Sequence, residues 1–356
     1  MTAVLQVVTD TDRRGAQTFA VDLGDALHDL GATVRTVALA PGSTGGLAIP
    51  CLGPTRLGPA TLRELRRAAA RADVVVAHGS TTLPACALAT MGTGAPFVYR
   101  QISDSRVWAD TTLRRARVRL ALSRAARVVT LWNGAADVMV TSFHVPRETV
   151  EVIPNGVPAD RFAPPRDGET EQARIALGLS PHRRTIAYIG ALSPEKDVGR
   201  AIAATAMIDD VQLLVVGDGP ERAALQDQAD AELAGRHVFS GSVEDTRPAL
   251  VAADVVVLAS RSESMPAVLI EAGLVGKPVV ATAVGGIPTI VDDGCTGVLV
   301  SPGDTRALGD GLRAILDDPT RARAIGHAAH AKCLDQFALG KVAAEWARVL
   351  DAVGRR

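Results

Sequence analysis

Short runs of β-branched and other apolar residues recur along this chain, and between them apolar positions return every three or four residues. Val4–Thr9 reads as a first strand, and a loop, Asp10–Gly15, follows it. Next comes a helix, Gln17–Leu30, with Phe19, Leu23, Ala26, Leu27 and Leu30 on one face. Gly31 ends the helix and Thr33–Leu39 is the next strand. Further strands are expected at Asp73–Ala77, Pro96–Arg100, Val128–Leu131 and Val150–Ile153, and helices at Thr61–Ala72, Asp110–Arg127 and Ala135–Phe143. The alternation continues with strands at Thr185–Ile189, Gln212–Val216 and Val238–Ser240. Strand–helix alternation of this kind predicts an α/β fold built on parallel sheets. The strand runs are continuously apolar, as expected for sheets covered on both faces.

The stretch from Ala253 to Asp304 carries the clearest pattern. Val255–Leu258 is a buried strand, and a polar loop, Ala259–Met265, follows it. Pro266 stands where a helix starts, because its fixed φ suits the first turn and its missing N–H is no loss there. The helix runs Ala267–Val275 and stops at Gly276, before a second buried strand, Val279–Thr282. Two carboxylates belong to this unit, Glu263 in the loop and Glu271 on the helix, with seven residues between them.

A strand–loop–helix turn presents free backbone N–H groups and a partial positive charge at the helix start, which suits a phosphate. A carboxylate does not bind phosphate, but it accepts hydrogen bonds from the hydroxyls of a sugar or a ribose. Two such acceptors beside an anion site read as a receptor for a sugar nucleotide. The plainer reading leaves Glu263 solvated and gives Glu271 only the task of complementing the helix dipole.

A length of 356 residues suggests two domains, each able to bury its own core. Apolar residues make up 47% of the chain, yet no run approaches the ~20 that a membrane helix needs. The start of the chain shows no basic segment followed by a hydrophobic core and cleavage site, so no signal peptide is expected. Cys51, Cys86, Cys295 and Cys333 lack metal or redox spacing and read as reduced thiols in a cytoplasmic protein. The net charge of −1 divides unevenly: residues 1–165 carry 18 basic and 13 acidic side chains, the remainder 20 and 26. Every base of the first half is an arginine. Arg114, Arg115, Arg117, Arg119, Arg124 and Arg127 crowd the helix Asp110–Arg127. Such a helix can lie on an anionic membrane. Its apolar residues are modest, and Trp108 is the one nearby aromatic anchor, so a solvated face is the favoured reading and membrane contact is not. Nothing in the charge pattern calls for nucleic acid.

The stretch resembles the retaining glycosyltransferases of family 4. Their pattern is a Glu pair with seven residues between, then G-K-P-V-V-A-T, V-G-G-I-P and D-G-x-T-G. This chain has Glu263 and Glu271, Gly276–Thr282, Val284–Pro288 and Asp293–Gly297 in that order. The likeness implies a GT-B fold, two Rossmann-like parallel-sheet domains facing an interdomain cleft. Residues 1–165 would form the acceptor side and residues 166–335 the nucleotide-sugar side, with 336–356 a C-terminal helix crossing back. The run Ile153–Val157 and Arg161–Pro164 matches the segment joining the two domains, and Arg166–Glu171 fits a linker.

The resemblance also assigns roles. Gly15 would let its loop approach the donor phosphates, with Arg14 where the family has a second glycine. Lys196 would hold the diphosphate, while Ala191 occupies a position usually filled by arginine. Val243 and Asp245 would contact the base, and Glu271 the ribose. Glu263, with Ser264 and Met265 beside it, would hold the transferred sugar. His78, at the carboxyl end of a strand, and Asp104, in the exit loop of another, are acceptor-side candidates; a packed, structurally bonded histidine is the other reading of His78. The implied activity moves a sugar from a UDP- or GDP-sugar to a small-molecule, glycan or lipid-linked acceptor with retention. No metal site and no cofactor are expected. A sugar-nucleotide epimerase or hydrolase and a non-catalytic sugar-nucleotide binder are the alternatives on the same fold.

Overall fold

The computed structural model describes residues 2–43, 46–103 and 109–354, so Asp104 lies outside the described residues. The chain forms two compact units, residues 1–157 together with 338–356, and residues 158–337.

The first unit holds strands β1 (Ala3–Val8), β2 (Thr33–Ala38), β3 (Val74–His78), β4 (Phe97–Arg100), β5 (Arg127–Thr130) and β6 (Val150–Val152). They pair in parallel in the order β2-β1-β3-β4-β5-β6. Alternate side chains of each strand point to opposite faces, and both faces are covered. Val75 and Ala77 pack with Leu65, Ala69 and Cys86, while Val74 and Val76 pack with Phe19, Leu23 and Trp346. The helix Gly15–Asp29 buries Phe19, Leu23 and Leu27, four residues apart, against the sheet. Its neighbour on that face is the last helix, Leu339–Val353, whose Val342, Trp346, Val349 and Leu350 are buried.

The second unit holds β7 (Arg184–Ile189), β8 (Val211–Val216), β9 (His237–Gly241), β10 (Val255–Leu258), β11 (Val279–Thr282) and β12 (Val298–Val300). Their order, β12-β11-β10-β7-β8-β9, is that of a dinucleotide-binding sheet. In open parallel sheets the ligand crevice lies beyond the carboxyl ends of the strands, where the order reverses. That point falls between β1 and β3 in the first unit and between β7 and β10 in the second.

Three expectations need correction. The first unit ends at Val157 rather than 165, and the second at Phe337 rather than 335. Residues 163–169 belong with the second unit because Arg247 binds the Ala163 carbonyl, at 3.2 and 3.0 Å, and the Glu169 carboxylate. The hydrogen bond from Arg247, and after it one from Arg166 N at 2.8 Å, hold the Glu169 carboxyl down to about 2. The polar stretch read as a linker begins a helix, Glu169–Ala176. The helix expected over Asp110–Arg127 is Thr112–Leu122, because Arg127 already pairs as the first residue of β5.

Candidate functional site

At the reversal point of the second sheet, the loop after β7 carries Lys196 and the loop after β10 carries Glu263. Lys196 Nζ donates to Glu263 Oε1 at 2.7 Å, and Ser260 Oγ donates to the same oxygen at 2.7 Å. The Glu263 side chain is only 7% exposed, the Lys196 side chain 21%. Ser260 is buried, and Thr282 at the end of β11 fixes it by donating to its carbonyl at 2.6 Å. Among the described residues Glu263 Oε2 accepts no hydrogen bond and two of the Lys196 donors have no partner. The site therefore offers a cation and a carboxylate oxygen side by side, each still able to take a ligand.

The backbone sets this geometry. Tyr188 Oη donates to the Ala191 carbonyl at 2.8 Å and holds the loop after β7 in place. Burial, and then the charges of Glu263, Glu195 and Glu221, push the tyrosine pKa up, so it remains a donor. Arg261 N donates to the Glu195 carbonyl at 2.8 Å, which fastens the two loops together. The sequence V-G-G-I-P acquires a reason here. Gly285 has φ +55°, and a Cβ on it would stand 1.7 Å from the Glu263 carbonyl oxygen. Gly286 N donates to the Ser264 carbonyl at 2.7 Å. The glycine pair lets the next loop lie against the backbone of Glu263 and Ser264. Met265 is buried beneath them.

Glu271 sits on the helix Ala267–Val275, whose N-terminus after Pro266 has no side-chain cap. Thr246 Oγ1 donates to Glu271 Oε2 at 2.8 Å. Thr246 belongs to the loop after β9 that also carries Val243 and Asp245, both exposed. Asp245 Oδ1 accepts from Arg247 N at 2.9 Å. Lys196, Glu263, Ser264 and Met265 thus form one group, and Glu271 joins the Val243–Asp245 loop through Thr246.

Beside Lys196, Asp197 takes a left-handed conformation, φ 49°. Its carboxylate accepts from Arg200 Nε at 2.9 Å and Arg261 Nε at 3.0 Å. Burial opposes ionisation there, yet the two arginines hold the Asp197 pKa below its ordinary value. Arg261 is otherwise exposed, and its terminal nitrogens make no hydrogen bond among the described residues. Ala191 is exposed as well.

The first unit tells a different story at its own reversal point. Gly15 opens the helix after β1, and a Cβ there would meet nothing within 4 Å. The loop before it buries two carboxylates. Asp10 pairs with Arg56 at 2.8 Å and accepts from Gln17 at 2.9 Å; Asp12 pairs with Arg14 at 2.8 Å. Arg14 is thereby committed to Asp12. His78 is 2% exposed, bonded to Gln6 Oε1 at 2.9 Å and to Arg100 Nη1 at 3.3 Å, and stacked 6.3 Å from Trp346. Burial, with the Arg100 charge adding to it, holds its pKa well below the usual value. This is the packed, bonded histidine of the two readings, with no open face for an acceptor. Burial lowers the Arg100 pKa to about 9; its guanidinium lies 3.8 Å over the Phe19 ring and donates to Asn155 Oδ1 at 2.5 Å.

Sequence reasoning missed Ser260 and Thr246. Ser260 and Glu263 have the S-x-x-E spacing of a capping pair, here turned to a hydroxyl–carboxylate bond. Thr246 carries no comparable signal, because its partner lies 25 residues away.

Two family models match the chain. The model described as Glycosyltransferase Family 4 covers residues 13–161, and that described as Glycosyl transferases group 1 covers residues 183–318. A 2-deoxystreptamine glucosyltransferase of Streptomyces kanamyceticus is 33% identical over 65% of this chain and 63% of its own length. A D-inositol 3-phosphate glycosyltransferase of Mycobacterium sp. (strain KMS) is 33% identical over 62% of this chain and 52% of its own. These matches span less than two thirds of either curated relative. HepE of Anabaena, solved with UDP-glucose, superposes with a TM-score of 0.88 at 23% identity, over 99% of this chain and 100% of that one. A sucrose-phosphate synthase of Thermosynechococcus elongatus gives 0.85 at 21% identity, over 99% of both chains. At such identities the likeness establishes the GT-B fold.

Proposed function

Because the chain belongs to glycosyltransferase family 4, we propose that its second unit binds a UDP-sugar and that the protein transfers the sugar to an acceptor hydroxyl, with retention and without a metal. The observation that carries this reading is the Lys196–Glu263–Ser260 group at the reversal point of a dinucleotide-type sheet. The fold neighbour HepE was solved with UDP and with UDP-glucose, and both curated relatives bear glycosyltransferase names.

The chemistry follows from the groups present. On donor entry, Lys196 turns its open donors to the diphosphate, and Glu263 Oε2 accepts from a sugar hydroxyl. Glu271, held by Thr246, takes the ribose hydroxyls, with the base against Val243 and Asp245. As the bond to the sugar breaks, negative charge grows on the leaving diphosphate, and fixed cations and N–H donors stabilise it without reorganising. The diphosphate then takes the acceptor's proton on the same face. The protein supplies positioning and charge. In this reading Lys196 and the uncapped N-terminus of Ala267–Val275 supply the neutralisation that a metal would otherwise give.

A panel of nucleotide sugars, scored first by thermal stabilisation and then by transfer in excess EDTA, tests this. A ligand that binds only the native state raises its melting temperature. UDP-sugars are expected to stabilise the protein, and transfer is expected to persist under chelation. Loss of turnover on chelation, restored by magnesium or manganese, would remove the metal-free mechanism. Donor consumption at an equal rate without acceptor would instead mark a hydrolase or epimerase.

In the same reading Arg261 serves the diphosphate where Ala191 does not. Asp197 anchors its Nε beside Lys196 and leaves its terminal nitrogens open. Arg261→Ala is expected to weaken UDP about tenfold, the value of one charge-assisted hydrogen bond, with little change for uridine. Ala191→Arg in that background should restore UDP affinity. Equal losses for UDP and uridine would mean that Arg261 acts only on the fold of the loop.

A further inference from the structure

Among the described residues no helix is long and apolar enough to cross a membrane. One helix of the first unit nonetheless has an unusual distribution. Thr112–Leu122 buries Val118, Ala121 and Leu122, and Arg115 Nε on the same side donates to the Ala109 carbonyl at 3.0 Å. At 100° per residue, the opposite side carries Leu113, Ala116 and Leu120, spaced i, i+3 and i+7. Leu113 is 62% exposed and Leu120 70%. Arg117 and Arg124 flank this stripe on one side and Arg119 on the other. No Asp or Glu occurs from Thr111 to Leu131, and Asp110, just before this stretch, is paired with Arg114 at 2.8 Å.

The patch continues onto the neighbouring helix, Thr82–Ala89. Arg124 Nε donates to the Ala87 carbonyl at 3.2 Å, next to Leu88, which is 55% exposed. Met91, 47% exposed, follows, and its carbonyl accepts from Arg66. A single exposed leucine is unremarkable on any surface. A merely solvated helix, however, places its leucines inward and its charges outward. Here two leucines occupy the centre of the outward face with arginines on both flanks.

We propose that this face lies on an anionic lipid bilayer, with Leu113 and Leu120 entering the boundary between headgroups and acyl chains and Arg117 and Arg119 reaching the acidic headgroups. An apolar stripe bordered by cations on flexible stems is the pattern of an interfacial helix. The expectation of a solvated face rested on the small number of apolar residues; their outward direction is what the sequence did not reveal. A nucleic-acid partner would use the arginines and leave the leucines idle. The reading is independent of the donor site.

The test is co-sedimentation of the full chain with vesicles of phosphatidylcholine alone or mixed with phosphatidylglycerol. Binding is expected to the mixed vesicles only and to weaken with added salt. The double variant Leu113→Ser, Leu120→Ser keeps the charge and is expected to lower the partition coefficient at least tenfold. Arg117→Glu should lower it by about fivefold or more, the effect of one arginine near such a surface. A Leu120→Trp reporter should shift its fluorescence to the blue on mixed vesicles. All three positions are exposed, so melting temperatures should match the parent and exclude misfolding. Three outcomes overturn the proposal: no binding to mixed vesicles at low salt, binding indifferent to the serine pair, or no fluorescence shift. Indifference to the serine pair, with equal binding to duplex DNA, would assign the arginines to a polyanion instead.

Discussion

Replacing Lys196 by alanine is expected to lower kcat by about 10- to 150-fold, the value of a charge-assisted hydrogen bond of roughly 1.5–3 kcal/mol that strengthens as the diphosphate leaves. The change has a second effect, because Lys196 also neutralises Glu263, whose carboxylate is nearly buried. Without its cation Glu263 keeps only the Ser260 hydroxyl, and the melting temperature should fall as well. The two effects separate in the double variant Lys196→Ala, Glu263→Gln. Removing the orphaned charge should recover the stability and leave the rate low. Single-turnover kinetics and thermal melts on the three proteins decide the matter. A Lys196→Ala enzyme with parental kcat and kcat/KM would show that the diphosphate lies elsewhere.

Replacing Glu271 by alanine should act on binding instead. If this carboxylate holds the ribose hydroxyls, ground state and transition state lose the same interaction, so donor KM rises and kcat changes little. Hydrogen bonds to a charged acceptor make that rise about 10- to 150-fold. Thr246→Val tests the same geometry from outside the ligand. It removes the hydroxyl that donates to Glu271 Oε2, and a smaller rise in donor KM is expected. Steady-state kinetics with the donor varied read both. Unchanged donor KM in Glu271→Ala would leave the residue as a simple partner of Thr246.

How much of this was visible in the sequence depends on what holds each element. Val255–Leu258, Ala267–Val275 and Val279–Thr282 were bounded correctly, since fully buried strands are continuous apolar runs and the helix between them has a Pro start and a Gly stop. Gly276 takes the left-handed φ of 78° that this stop requires. The helix Glu169–Ala176 was not visible, because its one buried residue is Arg174. That side chain reaches Asp254 at 2.6 Å and the Ala252 carbonyl at 2.9 Å, so the helix is held by an arginine and shows no apolar period. The strand β12 is three residues long and falls below any periodicity. In the site, Glu263 and Lys196 were named in advance, whereas Ser260 and Thr246 were not. A hydroxyl bonded to a carboxylate leaves no trace in composition or spacing until the chain is folded.

The division of the chain also dictates a sequence of events during synthesis. The first unit is made of residues 1–157 and 338–356, so its closing helix is translated after the whole of the second unit. Trp346 and Val342 fill the face of the first sheet that Phe19 and Leu23 share. Until they leave the ribosome, that face is covered only in part, by the helix Gly15–Asp29, and the first half remains an incomplete, sticky intermediate. The second unit, continuous from 158 to 337, needs nothing from later in the chain. Domains as a rule fold in the order of their synthesis. In this protein the nascent chain reverses that order, and the half that begins first is finished last.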